Sequence, residues 1–80
     1  MNPNFSKTPA GLKLAGTALY GPRWQSALAR DLGVSPRFIR FLAAGDKKIP
    51  DSCWRNIAAL LDQKAQDCKE MSAMIINQSL

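Results

Sequence analysis

The apolar residues of the chain recur at helical spacing in four successive segments, and no run of residues alternates as a β-strand would. The first segment carries them three and four residues apart, at Leu12, Ala15 and Leu19. Thr8-Pro9 precedes it as an N-cap followed by proline, and Gly21-Pro22 closes it because proline cannot continue a helix. The pattern predicts a first helix over residues 9–20, preceded by a flexible arm of residues 1–8.

Two short helices are predicted next, on either side of a glycine. The second begins near residue 22 and ends at residue 32, and the third occupies residues 35–44. Gly33 separates the two, Ser35-Pro36 caps the third, and Gly45 ends it. The apolar residues expected to face inward are Trp24, Leu28, Leu32, Val34, Ile39 and Leu42.

A fourth helical segment begins after a short loop, with Asp51 or Ser52 as its cap. Neither glycine nor proline occurs from residue 51 to residue 80, so the pattern allows one long helix or two helices with an unmarked bend. Its apolar residues follow steps of four and three, interrupted by Lys64, at Ile57, Leu61, Cys68, Met71 and Ile75. The predicted fold is all-α, with four to five helices and an extended C-terminal helical tail.

The length of the chain and the distribution of its charge limit the classes of protein to which it can belong. A chain of 80 residues is long enough for one small domain. It contains no run of about 18 apolar residues, so no membrane-spanning helix is predicted. Residues 1–50 contain eight Lys and Arg residues and two Asp residues, which gives a net charge of +6. Residues 51–80 contain three Lys and Arg residues and four Asp and Glu residues, which gives a net charge of −1. A basic first half predicts a polyanionic partner. The polar N-terminus lacks the apolar stretch of a signal peptide, which predicts a cytoplasmic protein.

The absence of histidine removes several kinds of chemistry. No Ser-His-Asp or Cys-His nucleophile and no imidazole metal site can form within the chain. Cys53 and Cys68 lie fifteen residues apart, and two thiols alone cannot complete a zinc site, so free thiols are expected. The sequence therefore predicts no enzyme, no catalytic residue, no metal, no cofactor and no small-molecule ligand.

Residues 25–44 meet the steric requirements of a helix-turn-helix unit. Ala29 is small where the second helix must cross the first, and Gly33 tolerates positive φ in the turn. The stretch Leu-Ala-Arg-Asp-Leu-Gly-Val-Ser-Pro-Arg-Phe-Ile-Arg (28–40) resembles the motif of Xre/Cro-like phage repressors, which have the lambda-repressor-like fold. The resemblance covers the motif and extends over a DNA-binding domain of residues 9–63. Pro36 departs from it, since the family often carries a polar base-contacting residue there.

The resemblance implies that the helix of residues 35–44 lies in the major groove of double-stranded DNA. With Ile39 and Leu42 facing the core, four residues of its outer face are expected at the base edges, namely Pro36, Arg37, Arg40 and Phe41. Gln25 matches the phosphate-contacting glutamine of the family. The full set of expected phosphate contacts is Gln25, Ser35, Lys47, Lys48 and Arg23.

Residues 64–80 are expected to form a symmetric homodimer, because one recognition helix makes few base contacts. The expected dimer contacts are Cys68, Met71, Met74 and Ile75. The predicted function is a dimeric transcriptional regulator, a repressor of a small phage or mobile-element operon that binds a palindromic operator. The alternative is an antitoxin or another helical interaction module whose main partner is a protein bound through residues 64–80.

Overall fold

The computed structural model describes residues 7–79 of the chain, with side chains described for residues 7–78. Within this range there are four α-helices, one short 3-10 turn and no strand. The helices are α1 (Pro9–Tyr20), α2 (Trp24–Leu32), α3 (Pro36–Ala44) and α4 (Asp51–Ser79). The all-α prediction is confirmed. Of the predicted arm, residues 1–6 lie outside the described residues.

The bounds of α1 agree with the sequence prediction, and those of α2 differ from it. The Thr8 hydroxyl accepts a hydrogen bond from the Gly11 N–H at 3.0 Å, which caps α1 as expected. Gly21 then adopts a φ of 81°, and Gly21–Arg23 form a 3-10 turn before α2 begins at Trp24. The predicted start near Pro22 was therefore too early, because this turn reorients the chain before α-helical hydrogen bonding resumes.

The connection between α2 and α3 is only three residues long. Gly33 is left-handed, with φ 72° and ψ 30°, and Val34 donates its N–H to the Ala29 carbonyl at 3.0 Å. This bond satisfies a carbonyl that the end of α2 leaves open. Ser35 then caps α3 by accepting from the Phe38 N–H at 3.1 Å, as the sequence predicts. The result is a tight turn that holds two nine-residue helices against each other.

The core lies where α1, α2 and α3 pack together and receive the first turns of α4. Its largest fully buried side chains are Leu12, Leu28, Ile39, Leu42 and Ile57. The predicted inward faces are confirmed, with Leu32 and Val34 half-buried at the edge of the core. Ile49 was not predicted in the core, yet it is 5% exposed and ties the loop between α3 and α4 to it.

α4 is one continuous helix of 29 residues, which resolves the alternative that the sequence leaves open. Its length of about 43 Å accounts for most of the 52 Å long axis of the molecule. The Lys64 ammonium donates to the carbonyls of Ala18 at 2.7 Å and Leu19 at 2.5 Å, at the end of α1. A cation there complements the negative end of the α1 dipole. Every described side chain from residue 62 to residue 78 is exposed.

The end of α1 is also joined to α2 by a hydrogen bond between side chains. The Tyr20 hydroxyl donates to Oδ2 of Asp31 at 2.5 Å. Desolvation together with this bond raises the pKa of Tyr20 to about 12, from an ordinary value of 10.0. The same bond lowers the pKa of Asp31, with a smaller contribution from Arg30, whose Nε lies 3.4 Å from Oδ1.

These shifts predict how the free energy of unfolding depends on pH, and they predict that one variant reduces that dependence. The lowered pKa of Asp31 means that its contribution is present near neutral pH and is lost as the pH falls through the folded-state pKa. The raised pKa of Tyr20 means that stability also falls as the pH rises from about 10 to 12. In Tyr20→Phe both dependences should shrink, as measured by urea unfolding from pH 2.5 to 12. Identical pH profiles for variant and wild type would contradict the prediction.

Candidate nucleic-acid interface

α3 presents a basic, solvent-facing side. Ile39 and Leu42 are fully buried, so the opposite side of the helix faces outward. Arg37 and Arg40 are both exposed there and lie three residues apart, which places them on one side of the helix. Ser35 and Pro36 are exposed at the N-terminus of the same helix. α3 contains no carboxylate, so nothing within it neutralises the two guanidinium groups.

Phe41 differs from its expected position. The sequence predicts it on the open outer face, whereas the structure leaves it half-buried. The Arg37 guanidinium lies 5.3 Å from the centre of its ring, a cation–π contact that covers one side of the aromatic group. Arg37 and Phe41 lie one helical turn apart and are in contact, with the guanidinium over the ring.

Lys47 and Lys48 lie in the loop that follows α3, and both are exposed. Lys47 reaches back to α3, where its ammonium lies 5.9 Å from the centre of the Phe38 ring. Burial of Ile49 fixes the far side of the loop. The loop is thus held next to α3 at both ends of the lysine pair. The sequence signal for this buried residue is that Ile49 is a single apolar residue between Lys48 and Pro50.

Two further predicted contacts lie at the start of α2. Arg23 is exposed and Gln25 is half-buried. With Pro22, Trp24 and Ser26 they line an open depression of about 480 Å³. No carboxylate lines this depression, and the N-terminus of α2 contributes a partial positive charge to it. Arg23 is the one charged side chain among these lining residues, so the depression is locally positive.

The residues predicted at a dimer contact lie on the exposed part of α4. Cys68 is an exposed free thiol, and Met71, Met74 and Ile75 are each 51–57% exposed. Cys53, by contrast, is a buried thiol whose burial raises its pKa, so the thiolate is disfavoured. The two cysteines therefore occupy opposite environments on the same helix.

We also searched the described part of the chain for metal sites and membrane-spanning helices. Among residues 7–79 no three His, Cys, Asp or Glu side chains converge as metal ligands would. No helix in that range has the length and apolar character needed to cross a membrane. The expectations of no metal, no cofactor and no catalysis stay predictions.

Comparison of the chain with protein-family models, with curated proteins and with solved structures gave no match.

Proposed function

We propose that the protein is a sequence-specific double-stranded DNA-binding regulator in which α2 and α3 form a helix-turn-helix unit. The observation that carries the proposal is the outer side of α3, where exposed Arg37 and Arg40 follow a capped N-terminus and a tight turn at Gly33. In such a unit the N-terminal part of the second helix contacts base edges in the major groove. The resemblance to Xre/Cro-like repressors supports the same assignment.

The size of α3 suits this role. An α-helix with its side chains is about 10–12 Å in diameter and fits a major groove about 12 Å wide, and the nine residues of α3 span about 13 Å. Arg40 is exposed, and its guanidinium can donate two hydrogen bonds to O6 and N7 of guanine. Arg37 would approach the bases together with the Phe41 ring that it covers, and the ring edge suits a thymine methyl group. Pro36 would add only van der Waals contact.

The surfaces on either side of α3 suit the phosphate backbone. Lys47 and Lys48 lie after its C-terminus, while Arg23 and Gln25 lie at the start of α2. Lysine and arginine at these places would release counterions from DNA on binding, so affinity should fall steeply with salt. Ser35 already accepts a hydrogen bond from the Phe38 N–H, and its hydroxyl hydrogen is left to donate to a phosphate.

A dimer would complete the mechanism. Two α3 helices one DNA turn apart, about 34 Å, would contact both halves of a palindromic operator. A small protein bound across a promoter would act as a repressor by occlusion. We place this activity in the cytoplasm and in the setting of a phage or mobile-element operon, where small regulators of this class act.

Fluorescence anisotropy of the purified protein tests the proposal. The duplexes are the DNA upstream of its own gene and a scrambled duplex of equal composition, each at three salt concentrations. We expect at least about 10³-fold preference for the upstream duplex and a log–log salt slope of several units. Equal weak binding to both duplexes would reduce the role to that of a polycation, and no binding at low salt would remove DNA as the partner.

The exposed apolar side of α4 favours one other candidate function. Met71, Met74, Ile75 and Ile76 are each more than half exposed, an apolar surface that a protein partner could cover. The chain would then be an antitoxin or an adaptor whose main partner is a protein. Arg37 and Arg40 have no role in that case, so their replacement would leave partner binding unchanged.

A further inference from the structure

Arg37 lies at the centre of the outer side of α3. Ile39 and Leu42 are fully buried, and at about 100° per residue Arg37 points about 170° away from their mean direction. On the same helical wheel Phe41 lies about 40° to one side of Arg37, and Arg40 lies about 60° to the other side. The centre of the basic side of α3 therefore carries one guanidinium, with an aromatic ring on one flank and a second guanidinium on the other.

The ring of Phe41 restrains the side chain of Arg37. The guanidinium carbon of Arg37 lies 5.3 Å from the centre of the ring. A cation within about 6 Å of that centre is attracted by the face of the ring. Arg40 has no such restraint, since no ion pair or ring contact among the described residues involves it. Arg37 therefore has less conformational freedom to lose than Arg40 when it binds a base.

The contact with the ring leaves the hydrogen-bond donors of Arg37 free. The five N–H groups of a guanidinium lie in its plane and point outward from its edge, whereas an aromatic ring stacks on its face. O6 and N7 of guanine accept two hydrogen bonds from that edge. No ion pair between described residues involves Arg37. Arg37 can therefore contact a guanine without leaving Phe41.

We infer that Phe41 is a positioning residue for Arg37, and that Arg37 contacts a guanine with a thymine beside it. Phe41 holds the guanidinium, and its ring meets the neighbouring base pair. The methyl group of thymine is the apolar group that base edges present in the major groove. The inference rests on the proposed function, since it requires α3 to lie in that groove. It adds the base step that is recognised and a difference between the two arginines.

The position of Phe41 disfavours the opposite role, in which the ring draws Arg37 away from DNA. Phe41 belongs to the same outer side of α3, one helical turn after Arg37. A guanidinium over its ring therefore stays on the side that α3 presents to the groove. The two roles differ in sign, because a competing ring would weaken the contact of Arg37 with guanine and a positioning ring strengthens it.

Duplexes with modified guanines identify the base that each arginine contacts. In the upstream duplex each guanine is replaced in turn by 7-deazaguanine, which lacks the N7 acceptor. Affinities are measured by fluorescence anisotropy for the full-length wild type, Arg37→Ala and Arg40→Ala. A guanine whose replacement weakens wild type but not Arg37→Ala is assigned to Arg37, and the same comparison with Arg40→Ala assigns the other. We expect a penalty of about tenfold at each.

Phe41→Leu tests the positioning role, because it keeps a half-buried apolar side chain and removes the ring. The penalty at the guanine of Arg37 should fall by about two- to fivefold, the strength of an exposed cation–π contact. The penalty at the guanine of Arg40 should stay unchanged. Phe41→Tyr keeps the ring and should keep both penalties. Phe38→Leu, which removes the ring beneath Lys47, is the matched control and should also leave both penalties unchanged.

Replacement of thymine by deoxyuridine tests the neighbouring base. Loss of the methyl group beside the guanine of Arg37 should weaken wild type about fourfold, the value for one buried methyl-sized group. Thymines distant from that guanine should show less than about a twofold effect. Urea unfolding of each variant shows that the protein used in these titrations is folded.

Several results would overturn the inference. One is a penalty at the guanine of Arg37 that is unchanged or larger in Phe41→Leu. Another is a fall of equal size at both guanines, which would give Phe41 a general structural role. The absence of a guanine assigned to Arg37, or of a methyl effect beside it, would overturn it as well. Any of these results with a preference for the upstream duplex would leave the proposed function standing, whereas no preference would remove both.

Discussion

The double variant Arg37→Ala/Arg40→Ala is expected to lose at least about 30-fold in affinity for the upstream duplex. Each bidentate arginine–guanine contact contributes about 1–3 kcal/mol of discrimination, and 1.4 kcal/mol corresponds to a factor of ten. Both side chains are exposed and neither is part of the core, so the domain should keep its stability. Removing Arg37 also uncovers one side of the Phe41 ring, which adds to the effect on binding.

A charge-matched control separates base contacts from general electrostatics. Arg55→Ala/Lys69→Ala removes two exposed positive charges from α4 and should change affinity by less than about tenfold. The scrambled duplex supplies the other comparison. If the α3 variant loses equal affinity for both duplexes, the two arginines contact phosphates rather than bases. If it loses affinity for neither duplex, α3 is not the DNA-contacting helix.

Gly16→Ala is expected to destabilise the fold by about 2–3 kcal/mol. Gly16 is buried in α1 against the indole of Trp24. A methyl group at this position would lie 2.5 Å from Cδ2 and 2.9 Å from Cγ of Trp24, and closer still to Cε3. Trp24 is 5% exposed, so its ring is packed in the core and would have to shift to relieve the overlap. The better helix propensity of alanine, about 1 kcal/mol, offsets only part of this overlap.

Thermal unfolding with a double-mutant cycle measures the effect. A loss of 2–3 kcal/mol corresponds to a fall in Tm of about 10–20 °C for a domain of this size. In a Trp24→Leu background the same Gly16→Ala change should cost less than about 0.5 kcal/mol, because the overlapping ring is gone. Thr17→Ala, at the exposed neighbouring position of α1, is the matched control. An unchanged Tm for Gly16→Ala would show that α1 and α2 are not packed this closely.

The sequence predicted the helices wherever their ends are marked locally. Thr8 and Ser35 cap α1 and α3 as expected, and Gly33 and Gly45 end their helices in left-handed conformations. Such ends depend on residues within four positions of each other, so a single sequence contains the information. The start of α2 was misplaced because the 3-10 turn at Gly21–Arg23 uses the same residue types as a helix start.

Features set by distant parts of the chain could not be predicted. Lys64 was expected only to interrupt an apolar seam, yet it bonds to carbonyls of residues 45 and 46 positions away. Backbone carbonyls have no sequence signature as partners. The unbroken course of α4 was likewise undetermined, since a helix without glycine or proline can bend or continue according to what it meets.

Part of the candidate interface could be predicted, because the exposure of residues within one helix is set locally. Exposure of Arg37 and Arg40 follows from the periodicity that buries Ile39 and Leu42. The half-burial of Phe41 and the contact of Arg37 with its ring do not, because periodicity carries no information about side-chain rotamers. The roles of all these residues in DNA binding stay predictions that the anisotropy experiments address.

The continuity of α4 from Asp51 to Ser79 gives the tail a fixed rotational phase relative to the domain. Each residue of an α-helix turns the helix by about 100° and advances it by 1.5 Å. One residue inserted between Lys64 and Cys68 would therefore point the apolar side of the tail about 100° away, with no change in composition. Seven inserted residues would restore the direction and lengthen the tail by about 10 Å. An insertion that keeps the apolar side in place must therefore add close to a whole number of helical turns, as about seven or eleven residues do.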